Sequence, residues 1–550
     1  MNTGIPIPGL MMDFPLTVHH LLRRMRDVYP HSKVDTVRAS DGTITTASYA
    51  DVVDRASRLA AALTGLGVKP GDRVGTFAWN TQEHLECYYG VMCLGAVLHT
   101  INLRLHNDQI GYTVRHADDR VILLDASLAE QFAPVLRECP GVEHVIVVGD
   151  LPEGVEIEGA ISYENLISQA PATIEWQEFD ETAAAALCYT SGTTGDPKGV
   201  LYSHRSILLH ALSMSGTETF RISNADRVLS IVPMFHAMGW GLPFVCALSG
   251  ADLVMPGRFL QPDPVITVVE QQYVTWSCGV PTVWMDVLKR CDQLAAEGVQ
   301  VHLSSLRRIL SGGTQVPTEL MRAYREQFDV EMVQGWGMTE IFPGATVGSQ
   351  DSVAGQSEKA MWDQQSAAGR LSPLYELRVV DSDNATLRND GIDVGEIEVR
   401  GPTVASAYFN APDTSDKFHD GWLRTGDVGT VSSTGWLRIS DRSKDAIKSG
   451  GEWISSVDLE AALMDHKSVR EAAVVGRPDD RWSERPYAFV VTDRAVSDEE
   501  LRAFLSERVA RWWLPDAFET ITSIPRTSTG KFDKKQLRQR LLNGTPTDQG

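Results

Sequence analysis

The sequence predicts an α/β protein with a large amino-terminal domain of layered, largely parallel sheets and helices, followed by a small mobile α+β carboxy-terminal domain. Three observations support this fold class. Short apolar strands alternate with amphipathic helices over most of the chain, which favours parallel sheets. With 550 residues, the chain is longer than one ordinary domain. Near residue 440 a dense charged run interrupts the pattern, and a compact set of elements follows it.

The large domain is predicted to span residues 1–441. Leu59, Leu63 and Leu66 fall on one face of a helix predicted over 56–66, so we expect this face to pack on a core. The apolar runs that are typical of buried strands lie at 73–78, 121–124, 145–148, 253–255 and 308–310.

The small domain is predicted to span residues 442–550, with a hinge near Lys444. The charged run 441–445 around this residue is typical of a solvated loop, which a hinge must be if it is to move. The elements predicted beyond it are a helix at 456–464, strands at 472–475 and 488–491, and a helix at 498–509.

Composition excludes several classes of protein. The formal net charge of −22 would repel a phosphate backbone, so no nucleic-acid partner is expected. The seven cysteines are scattered and form no C-x-x-C pair, which argues against a disulfide framework or a zinc site and fits a reducing cytoplasm. The amino terminus does not resemble a signal peptide, and no run reaches the roughly 20 apolar residues of a membrane span. We therefore expect a soluble cytoplasmic protein with no integral membrane segment.

The strongest chemical signal is the segment TSGTTGDPKG at residues 190–199. Its small and hydroxyl residues offer backbone N–H groups and hydroxyl donors to phosphate groups, and Lys198 adds a cation. It is not a Walker A loop, because Gly199 rather than Ser or Thr follows the lysine. The alternative is a solvent-exposed turn, since these residue types are also common in turns. The order of ten such residues favours a phosphate-binding loop.

This segment resembles the signature loop of the adenylate-forming superfamily, which includes acyl-CoA synthetases, luciferase and the adenylation domains of peptide synthetases. Further motifs follow in the order of that superfamily, over nearly the whole chain. The resemblance implies an ATP site and a magnesium ion (Mg²⁺). The residues that it implies for ATP are Thr190, Ser191, Gly192, Thr193, Thr194, Gly195, Lys198, Gly313, Thr314, Gln334, Gly335, Trp336, Gly337, Thr339, Asp427 and Arg442.

The segment QGWGMTE at residues 334–340 resembles the second nucleotide motif. There the aromatic residue stacks on adenine, Thr339 contacts the α-phosphate and Glu340 holds the metal. The usual aromatic residue is tyrosine. With Trp336 in its place, stacking is kept but any hydroxyl contact is lost.

Three further positions complete the catalytic machinery that the resemblance implies. Asp427, in a T-G-D segment, accepts hydrogen bonds from both ribose hydroxyls, and Arg442 contacts ribose or phosphate. Lys531, at the end of PRTSTGK, bridges the substrate carboxylate and the α-phosphate. The alternative for Lys531 is an exposed basic tail, because Lys534 and Lys535 follow it.

The acid substrate is expected to lack an α-amino group. The segment MFHAMGW at residues 234–240 resembles the motif that borders the acyl pocket in the superfamily. Relatives that activate amino acids carry an aspartate directly after the phenylalanine of this motif, but here His236 follows Phe235. A buried ammonium without a partner is costly. The resemblance implies that His236 acts as a catalytic gate to the thiol tunnel, with a purely structural histidine as the alternative. Trp284 is expected to add apolar bulk to the acyl pocket, and the residues implied to bind the acyl group are His236, Trp240, Val280, Pro281 and Gly312.

Coenzyme A is the expected acceptor. The loop GGEWISS at residues 450–456 resembles the one that lines the pantetheine tunnel of medium-chain acyl-CoA synthetases, and Ser483 stands where the superfamily more often has glycine. The residues implied to bind CoA are Gly450, Gly451, Glu452, Trp453, Arg477 and Arg481.

The motif set most resembles that of bacterial medium-chain fatty acid–CoA ligases, which are acid–thiol ligases that form AMP. Acid and ATP would give acyl-AMP and pyrophosphate, and acyl-AMP and CoA would then give acyl-CoA and AMP. Alternative substrates are 3-methylthiopropanoate and an aryl acid. A luciferase-like oxidase and a non-catalytic nucleotide-binding protein are the alternatives from other classes. The oligomeric state stays open, with a homodimer as one alternative.

Overall fold

The computed structural model describes residues 9–190, 196–349, 355, 357–381, 383–411, 415–442, 445–449, 452–479, 481–526 and 532–543. Within these ranges the chain forms three sheets with helices packed on them. Two of the sheets and most of the helices belong to the large domain, and the third sheet lies beyond residue 446.

The helices, numbered in chain order, are α1 His19–Asp27, α2 Tyr49–Gly65, α3 Gln82–Cys93, α4 Asn107–Ala117, α5 Ala129–Leu136, α6 Tyr163–Gln169, α7 His204–Met214, α8 Leu242–Ser249, α9 Pro262–Gln271, α10 Pro281–Ala296, α11 Thr318–Phe328, α12 Glu358–Gln365, α13 Ser456–Met464, α14 Asp498–Ser506 and α15 Lys534–Asn543. Short 3₁₀ turns lie at Ala126–Leu128, Ala237–Gly241, Thr339–Ile341 and Arg511–Trp513.

The strands are β1 Lys33–Val37, β2 Ile44–Ser48, β3 Arg73–Phe77, β4 Val97–Thr100, β5 Asp119–Asp125, β6 His144–Val148, β7 Ile161–Ser162, β8 Ala184–Tyr189, β9 Gly199–Ser203, β10 Arg227–Ser230, β11 Asp252–Met255, β12 Trp276–Gly279, β13 Arg308–Gly312, β14 Glu331–Trp336, β15 Thr346–Val347, β16 Gly369–Leu371, β17 Glu376–Val380, β18 Gly395–Arg400, β19 Phe418–His419, β20 Trp422–Val431, β21 Trp436–Arg442, β22 Ile447–Ser449, β23 Glu452–Ile454, β24 Val469–Asp479, β25 Ser483–Thr492 and β26 Ala517–Thr520.

The two large sheets are parallel in their central parts, as the sequence predicts. One sheet has the order β7-β6-β5-β3-β4-β8-β9 and is parallel from β7 through β8, while β9 returns antiparallel. The other has a parallel core in the order β14-β13-β12-β10-β11-β1. Beyond β14 it continues through the antiparallel strands β15, β16, β21, β20, β18 and β17. The predicted strands at 121–124 and 145–148 are the neighbours β5 and β6.

Two helices fill the space between the large sheets. Helix α2 begins with a capping box, in which Ser48 accepts from the Asp51 N–H and the Asp51 carboxylate accepts from Ser48. It buries Leu59 and Leu63 completely, as the sequence predicts, and packs on α3. Every residue of α3 is buried, because this helix contacts β3 and β4 of one sheet and β1 of the other.

The small domain has its own sheet and core. Its strands follow the order β23-β22-β25-β24, with β26 parallel to β25. Helix α13 has the predicted bounds, whereas α14 ends at Ser506, three residues before the predicted end. Ile447, Leu459, Val474 and Val490 are fully buried together in the core of this domain.

The interpretation of 441–445 as a wholly solvated loop is wrong for its first residue. Asp441 belongs to β21 and is only 2% exposed. Its Oδ2 accepts a hydrogen bond of 2.6 Å from the backbone N–H of Ser456, the first residue of α13. A buried carboxylate at a helix amino terminus satisfies backbone donors that have no partner within the helix. This part of the charged run therefore anchors a helix of the small domain to the large domain.

All seven cysteines are buried, and none is joined in a disulfide. Among the described residues, no helix is long and apolar enough to cross a membrane.

Burial also determines how stability depends on pH. His84 lies in the first turn of α3, where its Nδ1 is 3.0 Å from the Trp79 carbonyl oxygen and its Nε2 is 2.9 Å from Thr76 Oγ1. Burial lowers the pKa of His84 to about 4. His84 is therefore protonated near pH 6.5 in the unfolded chain but stays neutral in the folded chain. The free energy of unfolding falls as the pH drops from 6.5 towards 4.

We expect His84 alone to lower the free energy of unfolding by about 1.4 kcal/mol between pH 7.5 and pH 5.5. His84→Asn keeps a donor for the Trp79 carbonyl but cannot titrate, so its loss of stability over this interval should be smaller by that amount. Urea unfolding at both pH values measures the difference. The exposed residue His302 supplies the control, His302→Asn, and equal pH dependence in the two variants would contradict the assignment.

Candidate active site

The phosphate-binding segment connects two strands of the seven-stranded sheet. β8 ends at Tyr189, and the antiparallel β9 begins at Gly199. The Thr190 N–H donates to the Lys198 carbonyl oxygen at 2.9 Å, and the Lys198 N–H donates to Thr190 Oγ1 at 3.2 Å. These bonds close the base of the loop. The predicted phosphate contacts at residues 191–195 lie outside the described residues.

A buried polar cluster adjoins Tyr189 at the end of β8, and sequence reasoning missed it. The Tyr189 hydroxyl is 2.7 Å from His116 Nδ1, and the Tyr189 ring packs on the ring of His99. His99 Nδ1 donates to Asp119 Oδ2 at 2.7 Å, and both side chains are fully buried. Burial raises the pKa of Asp119. No local pattern signals these partners, because they come from separate strands and a helix.

The cation of the loop and the predicted metal ligand meet at one tyrosine. Lys198 Nζ lies 4.9 Å from the ring centroid of Tyr408, a cation–π contact. The Tyr408 hydroxyl donates to Glu340 Oε1 at 2.5 Å. Glu340 is only 6% exposed, so its carboxylate is held before any ligand arrives. Tyr408 was not identified from the sequence, since it lies 68 residues from Glu340.

The donor set at Glu340 suits magnesium. Among the described residues, no group of three or more His, Cys, Asp or Glu side chains could hold a metal ion. Magnesium takes oxygen ligands and receives most of them from phosphate and water, so a single buried carboxylate fits it. Thr339, the neighbouring residue, is fixed through its carbonyl oxygen, which accepts from the Tyr202 hydroxyl at 2.6 Å.

The adenine and ribose residues of the nucleotide motifs are in contact. The Trp336 Nε1–H donates to Asp427 Oδ2 at 2.7 Å. The sequence indicates that tryptophan loses the hydroxyl of the usual tyrosine. The structure shows that the indole N–H provides a hydrogen-bond donor of its own. The backbone of Arg442 in β21 pairs with that of Asp427 in β20, so the two predicted ribose ligands lie on adjacent strands. Gln334 is fixed by the Val316 N–H, which donates to its Oε1 at 2.8 Å.

Glycines permit close approach of the strands that form this site. Gly312 and Gly335 face each other on β13 and β14, and a methyl group on Gly312 would lie 2.7 Å from the Gly335 carbonyl oxygen. At Gly337 it would lie 2.5 Å from the Gly344 nitrogen. Gly313 and Thr314, the other predicted adenine contacts, follow β13 and are exposed. Both Gly312 and Gly337 are therefore sterically required.

The segment after His236 is not a right-handed helical turn. Residues 237–241 all have positive φ, including Met238 at 46° and Trp240 at 50°. The interpretation that His236 and Trp240 share one helical face is therefore wrong, because the i, i+4 rule applies to right-handed helices. A left-handed backbone costs about 1–2 kcal/mol for each residue other than glycine, so packing must hold this turn.

Trp240 nevertheless lies next to Gly312, another residue predicted to bind the acyl group. It is 9% exposed, and its Cη2 would lie 3.5 Å from a methyl group on Gly312. The structure thus brings together two of the predicted acyl residues, and Gly312 also pairs with Gly335 of β14.

His210 supports the left-handed turn and was not identified from the sequence. A methyl group on Gly241 would lie 2.2 Å from His210 Cε1. The His210 Nε2 donates to the Pro343 carbonyl oxygen at 2.7 Å, and burial lowers the pKa of His210 to about 4. This neutral histidine connects the turn to the segment that follows Glu340.

The predicted acyl residues at the start of α10 divide into two groups. Val280 precedes the helix and Pro281 begins it. Trp284 is wrongly predicted as part of the pocket, because it is fully buried in the core with its ring 6.0 Å from that of Tyr324. Its indole packs against Gly279, where a methyl group would lie 2.9 Å from the indole nitrogen.

The predicted CoA residues lie on the small domain. Arg477 is 3.6 Å from Asp516 and packs on the ring of Tyr487, while the guanidinium of Arg481 lies 4.8 Å from the ring centroid of Trp482. Arg477 lies on β24, and Arg481 lies in the connection between β24 and the antiparallel β25. Ser483 has a φ of +72°, which explains why glycine suits that position in the superfamily.

The remaining predicted residues lie on β23 or outside the described residues. Glu452 and Trp453 form β23, which pairs with β22. Lys444, Gly450, Gly451 and Lys531 lie outside the described residues. The chain on either side of the Lys531 segment is joined by a bridge between Arg526 and Phe532.

Several of the predicted nucleotide residues follow the ends of β8, β13 and β14, and a separate small sheet follows them in the chain. This arrangement defines the class of adenylate-forming enzymes. The chain belongs to the AMP-binding enzyme family, whose model matches residues 27–409, and the model of the AMP-binding enzyme C-terminal domain matches residues 458–531. It is an enzyme of the acid–thiol ligase class that forms AMP.

Known relatives cover almost the whole chain. It is 38% identical to a 3-methylmercaptopropionyl-CoA ligase of Ruegeria lacuscaerulensis, over 97% of this chain and 98% of the relative. It is 37% identical to a medium-chain fatty acid–CoA ligase of Ectopseudomonas oleovorans, over 97% of each. Among solved structures, an anthranilate CoA ligase in complex with anthranoyl-AMP matches with a TM-score of 0.85 and 27% identity, over 97% of this chain and 99% of that one.

Gly241→Ala should destabilise the large domain, because its Cβ would overlap the His210 ring and its φ is +74°. Gly298→Ala is the matched control, with a φ of +79° and no atom within 4 Å of the new Cβ. We expect Gly241→Ala to be less stable than the control by about 1–3 kcal/mol in urea unfolding. His210→Ala in the Gly241→Ala background should recover part of this difference. Equal stability of the two alanine variants would contradict the proposed contact.

Proposed function

We propose that the chain is an ATP-dependent ligase that joins a small carboxylic acid without an α-amino group to coenzyme A. The observation that carries this proposal is the position of Gly312, where one added methyl group would contact both Trp240 and the Gly335 carbonyl oxygen of the predicted nucleotide motif. Adenylation requires the acid carboxylate to meet the α-phosphate, and this arrangement brings an apolar wall next to the nucleotide strand. Reactants held in such proximity react faster because little further entropy is lost.

In the first half-reaction, a carboxylate oxygen of the acid attacks the α-phosphorus of ATP. A new P–O bond forms, the bond from the α-phosphorus to the bridging oxygen breaks, and pyrophosphate leaves. Thr190 and Lys198 bind phosphate oxygens, and Thr339 contacts the α-phosphate. Lys531 offsets the negative charge between the carboxylate and the α-phosphate. Magnesium bound at Glu340 would neutralise phosphate charge.

In the second half-reaction, the CoA thiolate attacks the acyl carbonyl carbon. A C–S bond forms, the C–O bond to the adenylate breaks, and AMP leaves. We infer that the small domain, 442–550, rotates about Lys444, so that the 450–453 segment replaces Lys531 beside the acyl-AMP. Its exposed Arg481 and the partly exposed Arg477 are suited to the phosphates of CoA, while His236 opens the thiol tunnel.

The chemistry of the acyl pocket narrows the acid. Phe235 is followed by His236, so the motif offers no carboxylate for an ammonium group. The large indole of Trp240 closes one side of the pocket. The Ruegeria relative is named for a short thioether acid, and we propose the same acid, 3-methylthiopropanoate, as the leading substrate. A medium-chain fatty acid is the second candidate, supported by the Ectopseudomonas relative. Seven buried free cysteines support a reducing cytoplasm as the location.

The test is a panel of acids assayed with ATP, magnesium and CoA. We expect an acyl-CoA mass together with AMP and pyrophosphate, with the highest kcat/KM for 3-methylthiopropanoate or for an aliphatic acid of medium length. Benzoate and anthranilate test the aryl alternative. Omission of CoA and the Lys531→Ala variant are the controls. Oxygen consumption without acyl-CoA would favour an oxidase, and no ATP turnover with any acid would overturn the proposal.

Trp240→Ala should enlarge the pocket and move the acid optimum towards longer or bulkier acids. Trp284→Ala is the matched control, because this indole is fully buried in a core cluster that does not contain Trp240. Both variants should lose stability, by about 3–5 kcal/mol for a buried tryptophan. Only Trp240→Ala should change the order of kcat/KM across a chain-length series. The same order in both variants would remove Trp240 from the pocket.

A further inference from the structure

Trp336 and Asp427 are joined although their strands are not neighbours. The indole is on β14 and the carboxylate on β20, with β15, β16 and β21 between them in the sheet. The Nε1–H still reaches Asp427 Oδ2 at 2.7 Å, so the sheet must curl enough to bring β14 and β20 close together at this point.

Apolar packing holds the indole in this position. Trp336 packs on two separate core clusters, one containing Ile341 and Tyr375 and the other containing Ala368 and Leu437. These contacts limit the rotation of the ring, which stays partly exposed. Its N–H cannot turn to another acceptor without disturbing both clusters.

The carboxylate has little freedom of its own. Asp427 is 3% exposed, and its backbone N–H donates to Thr425 Oγ1 at 3.0 Å. An indole N–H can only donate, and a hydrogen bond to an ionised carboxylate is shorter and stronger than one between neutral groups. A hydrogen bond of this kind, from a ring that packing holds in place, restricts the orientation of the carboxylate.

The donor is particular to tryptophan at this position. The N–H projects from the side of the indole, whereas a tyrosine hydroxyl lies at the far end of its ring, and phenylalanine has no donor. An aromatic residue that only stacked on the base would have no need of an N–H at this point.

We propose that Trp336 is a positioning residue for the ribose of ATP, acting through Asp427. This inference rests on the proposed function, because it deepens the nucleotide site of the same reaction. The face of the indole meets the base while its edge orients the carboxylate towards the ribose hydroxyls. One side chain thus links recognition of the base to recognition of the sugar, and discrimination against 2′-deoxy- and 3′-deoxynucleotides depends on the Trp336 N–H.

The test compares nucleotides rather than variants alone. For the full-length protein, kcat/KM is measured with ATP, 2′-deoxy-ATP and 3′-deoxy-ATP at saturating acid and CoA. We expect Trp336→Phe to lose about tenfold with ATP, equivalent to one lost hydrogen bond to a charged group, and less than about threefold with the deoxynucleotides. The ratio of ATP to deoxy-ATP should fall accordingly. Equal losses with all three nucleotides would overturn the proposal and leave only stacking or a structural role.

Two further variants isolate the N–H. Trp422→Phe removes another indole from β20, where Trp422 lies between Arg378 and Arg400, so it should leave the nucleotide ratio unchanged. In an Asp427→Asn background, Trp336→Phe should change the ratio little further, because the charged acceptor is already gone. If Trp336→Phe does not fold, Trp336→Tyr serves the same comparison with the aromatic residue that is usual in the superfamily.

Binding of AMP and 2′-deoxy-AMP can be measured by calorimetry without an acid substrate. It therefore separates a failure of this inference from a failure of the proposed function. If the protein discriminates between these nucleotides and Trp336→Phe abolishes the difference, the inference holds even if no acid in the panel is activated. If acids are activated but Trp336→Phe keeps the full discrimination, the inference fails and the proposed function stands.

Discussion

The close approach of β13 and β14 at Gly312 and Gly335 is the constraint on which the site depends. A side chain at Gly312 would overlap a backbone carbonyl oxygen of the neighbouring strand, so the two strands can meet here only through glycine. The indole of Trp240 lies over the same glycine. The acyl wall and the nucleotide strand therefore share a single residue without a side chain. In the proposed reaction, any change that separated the strands would also move the acid away from the α-phosphate.

The two acidic residues expected to meet the nucleotide are held in the same way. Asp427 accepts from the indole of Trp336, and Glu340 accepts from the hydroxyl of Tyr408. Both carboxylates are nearly buried, and a buried charge is tolerable only when it has a partner. Aromatic donors suit this task because they have few rotatable bonds and are themselves fixed by packing. The carboxylates are thus oriented by the protein before a nucleotide arrives, so little reorganisation remains for the reaction step.

The sequence was informative where a signal is local. Continuous apolar runs predicted β5 and β6 and their parallel pairing. Motif order grouped Trp336 with Asp427, and these two side chains are in contact. The sequence failed where partners are distant. Tyr408 and His210 contact residues that are 68 and 133 positions away, and neither lies in a pattern that periodicity can detect. Trp284 and Trp240 were both predicted to line the acyl pocket, yet Trp284 is fully buried in the core. Apolar bulk predicts burial but not which side of an element faces the ligand.

The left-handed turn at 237–241 shows why such a site tolerates strain. Its backbone is unfavourable for the residues other than glycine, so it persists only because the core determines it. The Gly241 backbone rests on His210, which donates to Pro343 in the segment after Glu340. All of these groups belong to the large domain, so the acyl wall and the nucleotide segment form one packed unit. The proposed rotation of the small domain would therefore exchange catalytic groups around a pocket built by the large domain alone, and acid preference would then reside in side chains such as Trp240.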